Sequence, residues 1–241
     1  MARRSAEAIR CRRRVFMLGS LARRARPEIA PGAPKLRGME KVRFRGFQTG
    51  RRVTGVPAKG YPYLAEADMP GPRVQVCTAG DPFDDEDGLH SRAYGCTGSD
   101  AMTDKLSAVL RELVNLGVRD SLVDGVVGGG AGVLTFTAFD LVRLDDLHVH
   151  TGPRNTQMTV AQVPQRLRRE ALEFLLGEEA QPMHPIFQLV HLAEQRVVST
   201  PEEAEGELDG FMLAGFRGMV LKQPGASYIV GETSAWTYVG R

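Results

Sequence analysis

The chain has 241 residues, of which 42% are hydrophobic and 25% are charged, and its formal net charge is +2. This composition is that of a globular protein and excludes an intrinsically disordered chain. No apolar run approaches the roughly 18 to 20 residues of a membrane-spanning helix, so we expect no membrane insertion. The cysteines, Cys11, Cys77 and Cys96, lack CxxC spacing, which argues against a disulfide framework and a zinc site.

Charge is distributed unevenly along the chain. Residues 1–38 hold eleven of the 31 lysine and arginine residues but two of the 29 acidic residues, so they carry +9 and the remainder carries −7. Arginines separated by apolar residues, with few acids, are typical of a mitochondrial transit peptide. A basic tail that binds RNA or another polyanion is the alternative. We therefore expect residues 1–38 to be a leader or tail and the protein to be mitochondrial.

Two hairpin-like patterns follow the leader. Residues 39–59 alternate basic and apolar side chains around Thr49-Gly50, which predicts a short exposed hairpin or an extended arm. Residues 73–95 predict two strands joined by an acidic loop. Because that loop lacks the Asp and Gly spacing of an EF-hand, we expect no metal there.

The rest of the chain alternates helices and strands. Apolar residues at helical spacing over 102–113 predict a helix, and two strands joined by the glycine-rich residues 128–132 predict a hairpin. A second helix begins near Pro164, with an apolar face that consists of Leu167, Ala171, Leu172 and Leu175, and stops at Gly177. A strand over 185–192 precedes a third helix, whose start is predicted by the capping-box spacing of Thr200 and Glu203. Residues 216–241 predict three short strands, and the whole order indicates an α+β fold.

Five stretches resemble, in order and spacing, the nucleotidyltransferase (adenylation) domain of ATP-dependent DNA ligases, which are related to RNA ligases and mRNA capping enzymes. They are EADMPGPRVQV (66–76), LHSRAYG (89–95), SLVDGVV (121–127), LTFTAFDLVRL (134–144) and GFRGMVLKQPGASYIVGETSAWTYVGR (215–241). The resemblance spans about residues 60–241. It implies an ATP-grasp-like domain of mostly antiparallel sheets flanked by helices. The sequence stops just after the last motif, so we expect either a lone domain without an OB domain or a fragment of a longer protein.

The resemblance also implies a chemistry, in which a lysine amine attacks the α-phosphate of ATP. The motif for that lysine is Glu-x-Lys-x-Asp-Gly-x-Arg. Here Gly71 and Arg73 are kept, while Asp68 stands at the lysine position and Pro70 at the aspartate position. A carboxylate cannot replace an amine nucleophile, and about 4 Å from a phosphate charge it would cost roughly 4 kcal/mol at an effective dielectric near 20.

Other positions that carry charge in the family have also changed. Val126 replaces the glutamate of the Leu-Asp-Gly-Glu strand, Arg217 replaces an acid near the metal, and Tyr238 and Gly240 replace two phosphate-binding lysines. The degenerate positions are therefore Asp68, Pro70, Val126, Arg217, Tyr238 and Gly240.

Four positions keep the family's residue type and are candidate, vestigial nucleotide contacts: Arg73, Arg92, Phe139 and Lys222. The resemblance implies that Phe139 stacks on adenine, although a core aromatic is the more common role of such a residue. Arg92 has an alternative role as a partner of the acidic loop. Of the five lysines, Lys35 is the one rival nucleophile, because PKLRGME imitates the lysine motif.

We therefore expect a catalytically inactive homologue of a ligase adenylation domain, without a cofactor or a metal. It would act as a structural or interaction module with protein partners in a mitochondrial nucleic-acid or ribonucleoprotein assembly, with RNA or DNA contacted by the basic N-terminal segment. One alternative is an active ATP-dependent ligase that uses Lys35, ATP and magnesium. Another is a nucleotide sensor in which Arg73, Phe139 and Lys222 hold a nucleotide without reaction.

Overall fold

The structure, a computed structural model, describes residues 46–78, 91–116, 118, 121–130, 132–144, 149–151, 156–158, 163–177 and 189–241. The basic leader, Lys35 and the acidic loop lie outside these residues. The described strands and helices run in the following order: β1 (Gln48–Thr54), β2 (Tyr63–Ala67), β3 (Arg73–Thr78), β4 (Arg92–Tyr94), α1 (Ser107–Asn115), β5 (Ser121–Gly130), β6 (Val133–Leu144), β7 (Val149–Thr151), β8 (Thr156–Met158), α2 (Gln165–Leu176), β9 (Val190–Leu192), β10 (Gln195–Val198), α3 (Pro201–Leu213), β11 (Met219–Lys222) and β12 (Gly231–Gly240).

The first sheet has the strand order β1-β12-β11-β2-β10. Its neighbours pair antiparallel except β1, which runs parallel to β12. Of the two alternatives predicted for residues 39–59, the hairpin at Thr49-Gly50 is therefore wrong, because both residues lie within an extended edge strand. Gly50 precedes a register shift, and an added Cβ there would lie 2.4 Å from the Trp236 carbonyl oxygen. The glycine allows close approach of two strands and does not mark a turn.

The second sheet has the order β4-β3-β5-β6-β9 and is antiparallel except where β9 runs parallel to β6. Strands β5 and β6 form the hairpin that the glycine-rich run predicted, with Gly130 opposite Val133. Strands β7 and β8 pair as a separate ribbon. Because β2 and β3 are consecutive but belong to different sheets, the chain crosses between the sheets at residues 68–72.

Helix α1 buries the apolar face that the sequence predicted, although residues 102–106 of the predicted 102–113 helix form turns, and helix α3 begins where its capping box predicted. Helix α1 packs Val109, Leu110 and Leu113 into the core of the second sheet. Helix α3 packs against the first sheet, and its start is capped by Thr200, whose hydroxyl accepts from the Glu203 backbone N–H at 3.2 Å. No described helix is both long and apolar enough to cross a membrane.

Helix α2 differs from its predicted apolar face. Of the four predicted residues Leu172 is fully buried, and the buried side also carries Gln165, Arg168 and Arg169. Two buried arginines are tolerated here because each has a carboxylate partner beneath the helix. Their burial was not visible in the hydrophobic pattern.

The C-terminal segment contains two strands where three were predicted. The Pro224-Gly225 turn is present, closed by a hydrogen bond from the Ala226 N–H to the Gln223 carbonyl at 3.1 Å. Residues 227–230 do not form a strand. Their backbone instead places Tyr228 against Asp124 of the second sheet, with a 2.8 Å hydrogen bond.

Candidate functional site

A cleft of about 340 Å³ lies between the two sheets. Of the ten candidate and degenerate positions identified in the sequence, seven line it: Asp68, Arg73, Val126, Phe139, Arg217, Lys222 and Tyr238. The fold thus brings together positions that are up to 170 residues apart in sequence. Pro70, Arg92 and Gly240 are not among the described lining residues. Arg92 instead contacts Asp100 at 3.9 Å, on a surface strand.

Asp68 lies immediately after β2, where the chain leaves the first sheet. Its backbone N–H donates to the Gly218 carbonyl at 2.9 Å. Its carboxylate forms an ion pair with Arg52 at 3.5 Å, in which the side chains are 14% and 74% exposed, respectively. The nucleophile position of the lysine motif therefore presents an acid at the rim of the cleft, already paired with an arginine from β1.

The corner that follows Asp68 requires glycine. Gly71 has φ +131°, and a Cβ added there would lie 2.3 Å from the Val127 carbonyl oxygen. L residues other than glycine rarely adopt this conformation. The corner starts β3 with Arg73 facing the cleft, which explains why a glycine belongs in the motif even where its lysine is absent.

Lys222 is the lysine that lines the cleft among the described residues, and it is fully buried. Its Nζ lies 2.5 Å from the Glu66 carboxylate and donates to the Phe139 carbonyl at 3.3 Å. The same Nζ lies over the rings of Phe139 and Trp236, 4.7 and 4.5 Å from their centroids. Burial lowers the pKa of Lys222, and the Glu66 and Asp140 carboxylates oppose that shift. Lys222 is thus held on four sides by its own protein.

Glu66 links strands of the first sheet to helix α2, a role that sequence reasoning missed. Besides Lys222, it accepts a hydrogen bond from the Gln195 amide and lies 3.8 Å from Arg169. Arg169 in turn donates to Glu173 at 2.7 Å. The one available signal was that Glu66 occupies the glutamate position of the lysine motif.

Arg73 is fixed by an equally dense set of contacts. Its Nε donates to Asp124 at 2.9 Å and one terminal nitrogen donates to the Gln48 carbonyl at 2.5 Å. The Tyr228 hydroxyl donates to the same Asp124 carboxylate at 2.8 Å. Burial raises the pKa of Asp124 although Arg73 opposes this, and burial together with Asp124 raises the pKa of Tyr228. This network orients Arg73 without any ligand.

A second buried arginine lies beneath the cleft floor. Arg168 donates to both oxygens of Asp140, at 2.8 and 3.0 Å, and both side chains are 0% exposed. It also donates to the Val163 carbonyl at 2.7 Å. Asp140 follows Phe139 in β6, so this pair fixes the strand that carries the cleft's central aromatic ring.

Phe139 and Trp236 form the apolar centre of the cleft. Their rings meet edge to face with centroids 5.9 Å apart. Phe139 is 6% exposed and Trp236 is 1% exposed. The Trp236 Nε1 donor is buried and has no hydrogen-bond partner among the described residues. The core-aromatic alternative for Phe139 therefore agrees with its burial.

Solved structures with a similar fold include several ATP-dependent DNA ligases. A mycobacterial DNA ligase D complexed with ATP and MES superposes with a TM-score of 0.57 and 18% identity over 81% of this chain and 60% of that chain. The fold is that of a DNA ligase nucleotidyltransferase domain. A Chlorella virus DNA ligase-adenylate (TM-score 0.53, 14% identity, 80% of this chain, 66% of that one) agrees. The ATP complex of the bacteriophage T7 ligase also has this fold, with a TM-score of 0.53 and 14% identity over 79% of this chain and 68% of that chain.

These comparisons confirm the α+β ligase-type fold expected from the five motifs. No protein-family model matches the sequence, and no curated protein matches it significantly. The chain spans about 60% of the length of the ligase D structure. At such low identity the likeness establishes the fold alone.

Proposed function

We propose that this chain carries a ligase-type nucleotidyltransferase domain that does not adenylate itself and that serves as a structural or interaction module. The observation that supports this most directly is Asp68, a carboxylate ion-paired with Arg52 at the position of the attacking lysine. Covalent nucleotidyl transfer through this motif requires a free amine in line with the α-phosphate. An acid at that point supplies no nucleophile.

Lys222 is a poor substitute for the missing lysine. An attacking amine must leave its resting contacts and approach phosphorus, but Lys222 is enclosed by Glu66, the Phe139 carbonyl and two aromatic rings. Freeing it would leave Glu66 in the cleft without its closest charged partner. Such separation of a buried ion pair is strongly unfavourable.

The cleft does not fit magnesium either. Magnesium binds oxygen ligands, above all carboxylates that are not already neutralised. The two acids of the lining, Glu66 and Asp68, are paired with Lys222 and Arg52, and Arg217 adds a positive charge. Among the described residues no group of three or more His, Cys, Asp or Glu side chains is placed to hold a metal ion. We therefore assign no step to a metal.

Incubation of the full chain with α-labelled ATP and magnesium, followed by denaturation, tests the proposal. We expect no retained label, with the bacteriophage T7 ligase labelled in parallel as the positive control. Retained label would overturn the proposal. Its loss in Lys35→Arg would then establish the alternative of an active ATP-dependent ligase, whereas its loss in Lys222→Arg would identify the buried amine as the nucleophile.

The setting of the module is part of the proposal. The +9 charge of residues 1–38 suits mitochondrial import or contact with RNA or DNA in a ribonucleoprotein assembly. A fusion of residues 1–38 to a fluorescent protein should enter mitochondria, and an otherwise equal fusion with its arginines changed to glutamine should not. A diffuse signal from the unaltered fusion would contradict the location. Crosslinking and mass spectrometry of the tagged full chain would identify protein and nucleic-acid partners.

A further inference from the structure

The two five-stranded sheets end in four edge strands: β1 and β10 in the first sheet, and β4 and β9 in the second. An edge strand presents backbone N–H and C=O groups with which another strand can pair, and proteins commonly shorten or cover such edges. Strands β4 and β9 have three residues each and β10 has four, whereas β1 has seven. Strand β1 is thus the longest of these four edges.

The short edges of the second sheet are also closed by side chains. The Ala93 N–H of β4 donates to the Thr103 hydroxyl at 3.0 Å. At the start of β9, the Leu189 and Val190 N–H groups donate to the Glu112 carboxylate of α1 at 3.1 Å. The fold therefore satisfies the outer backbone groups of these edges without a partner.

The outer side of β1 is closed in this way at its first residue. There the Gln48 N–H donates to the Tyr228 hydroxyl at 3.1 Å, and the Gln48 carbonyl accepts from Arg73 at 2.5 Å. Beyond the pairing with β12, residues 50–54 have no backbone hydrogen bond to any other described residue. The second half of β1 is therefore an open edge.

Arg52 and Thr54 carry the open groups of this edge. The next residue, Gly55, donates its N–H inward to the Gly240 carbonyl of β12 at 3.2 Å. Because the backbone groups of successive strand residues point to opposite sides, Arg52 and Thr54 direct their N–H and C=O groups away from β12. Both residues are exposed. Their spacing of two residues is the spacing with which an added strand pairs.

The open edge is basic. Residues 46–60 include Arg51, Arg52 and Lys59 and no acid. Arg51 and Lys59 are exposed and form no ion pair with a described residue, and Arg52 has one contact of 3.5 Å, to Asp68. These charges favour a partner that brings carboxylates to the edge.

A second copy of the chain fits this edge poorly. Pairing β1 with the β1 of another copy would bring two Arg51-Arg52 dipeptides into neighbouring positions, and like charges there are destabilising. A nucleic acid would offer phosphates to the arginines but no ladder of donors and acceptors to the backbone of Arg52 and Thr54. The combination of an open ladder and basic side chains therefore favours an acidic peptide.

We infer that the open edge of β1, residues 50–54, binds an extended acidic segment of a partner protein, which adds a strand beside β1. Backbone hydrogen bonds to Arg52 and Thr54 hold the segment, and its carboxylates contact Arg51 and Arg52. The inference rests on the proposed function, because it names the kind of partner that the interaction module takes.

Synthetic peptides test the inference on the full chain, without ATP or magnesium. A short fluorescent peptide that alternates glutamate and threonine should bind saturably, with a Kd below about 1 mM. The same peptide with N-methylated amides keeps its charge but has no N–H donors, so its affinity should be at least about tenfold lower. A peptide that alternates lysine and threonine should not bind.

Hydrogen exchange locates the bound peptide without any substitution. In ¹H–¹⁵N spectra of the full chain, the glutamate–threonine peptide should slow the exchange of the Arg52 and Thr54 amides, because these N–H groups then have acceptors. The amide of Val53 serves as the internal control, since it faces β12 and is already paired. Its exchange should change less than that of its two neighbours.

Four variants separate the backbone from the charge. Thr54→Pro removes one outward N–H, which an edge strand tolerates, and should weaken peptide binding about fivefold. Thr54→Val keeps that N–H and should bind like the unaltered chain. Arg51→Gln should weaken binding about threefold, the effect of an exposed charge contact. Its matched control is Arg196→Gln, at an exposed arginine of β10, which should leave the affinity unchanged.

Several outcomes would overturn the inference: no binding of the glutamate–threonine peptide, equal affinity of its N-methylated form, or unchanged exchange at Arg52 and Thr54. Equal or tighter binding of a single-stranded oligonucleotide of the same charge would show that the edge takes polyanions in general. Dimerisation of the full chain in sedimentation, abolished by Thr54→Pro, would identify a second copy as the occupant. Since no ATP is present, peptide binding cannot depend on adenylation, and the labelling experiment and the peptide titration can fail independently.

Discussion

Two arginine–aspartate pairs of this domain differ in almost every physical respect. Arg168 and Asp140 are 0% exposed and joined by two short hydrogen bonds beneath the cleft. Arg52 and Asp68 meet at one contact of 3.5 Å on its rim, with Arg52 74% exposed. The buried pair supports the fold, whereas the rim pair contributes little to stability. We therefore expect substitution at the rim to cost little stability, in line with the proposal that the fold is kept while Asp68 occupies the position of the attacking lysine.

The largest predicted effect comes from the buried pair. Asp140→Ala leaves the Arg168 guanidinium buried without its carboxylate, and we expect it to lower the free energy of unfolding by about 3–5 kcal/mol. Urea denaturation followed by circular dichroism would measure this. Asp68→Ala is the matched control and should cost less than about 1 kcal/mol. Equal losses in the two variants would refute the contrast.

The Glu66–Lys222 pair should give the next largest effect. Lys222→Met leaves Glu66 in the cleft with only Arg169 and Gln195, and should destabilise the domain by about 2–3 kcal/mol. Adding Glu66→Gln should restore most of that loss, because the uncompensated charge is then gone. Lys105→Met, at an exposed lysine, serves as the control. A double variant as unstable as the single one would show that the amine acts through packing alone.

The contrast also explains which features the sequence could predict. The β5–β6 hairpin, the capped start of α3 and the ligase-type fold follow from local patterns and motif order, and the structure confirms them. The buried face of α2 could not be predicted, because Arg168 and Arg169 have the composition of an exposed surface until Asp140 and Glu66 are placed beneath them. Equally, the Thr49-Gly50 pair is typical of a turn, and only the pairing of β1 with β12 makes it part of a strand. Contacts between distant segments decide both cases.

The Asp124–Tyr228 contact predicts a pH dependence. Burial and the Asp124 carboxylate raise the pKa of Tyr228 above its ordinary value of 10.0. When the pKa of a group is higher in the folded chain than in the unfolded chain, its contribution to stability is complete below the unfolded pKa. That contribution is lost as the pH rises, because the tyrosine of the unfolded chain ionises first. Above pH 10 the free energy of unfolding should thus fall by up to about 1.4 kcal/mol per pH unit for this group.

This slope should be measured above pH 10.5, the ordinary pKa of lysine. Below that pH, Lys222 contributes a slope of the opposite sign, because its pKa is lowered in the folded chain. Urea denaturation at several pH values would compare the unaltered chain with Tyr228→Phe. The variant is expected to be less stable at neutral pH, since it loses the bond to Asp124. Its stability should nevertheless decline less steeply with pH. Parallel slopes would show that Tyr228 ionises as freely in the folded chain as in the unfolded one.

The smallest effect belongs to the rim pair, and a double-variant cycle of Arg52→Ala and Asp68→Ala measures it. We expect a coupling free energy below about 1 kcal/mol, since one contact holds two partly solvated side chains. The coupling should also shrink between low and high salt, because exposed charges are screened over about 10 Å at 0.1 M ionic strength. A coupling of several kcal/mol that resists salt would mean that Asp68 is locked into the frame like Asp140. The structure would then require an aspartate at position 68, and the proposal that substitution there costs little stability would be ruled out.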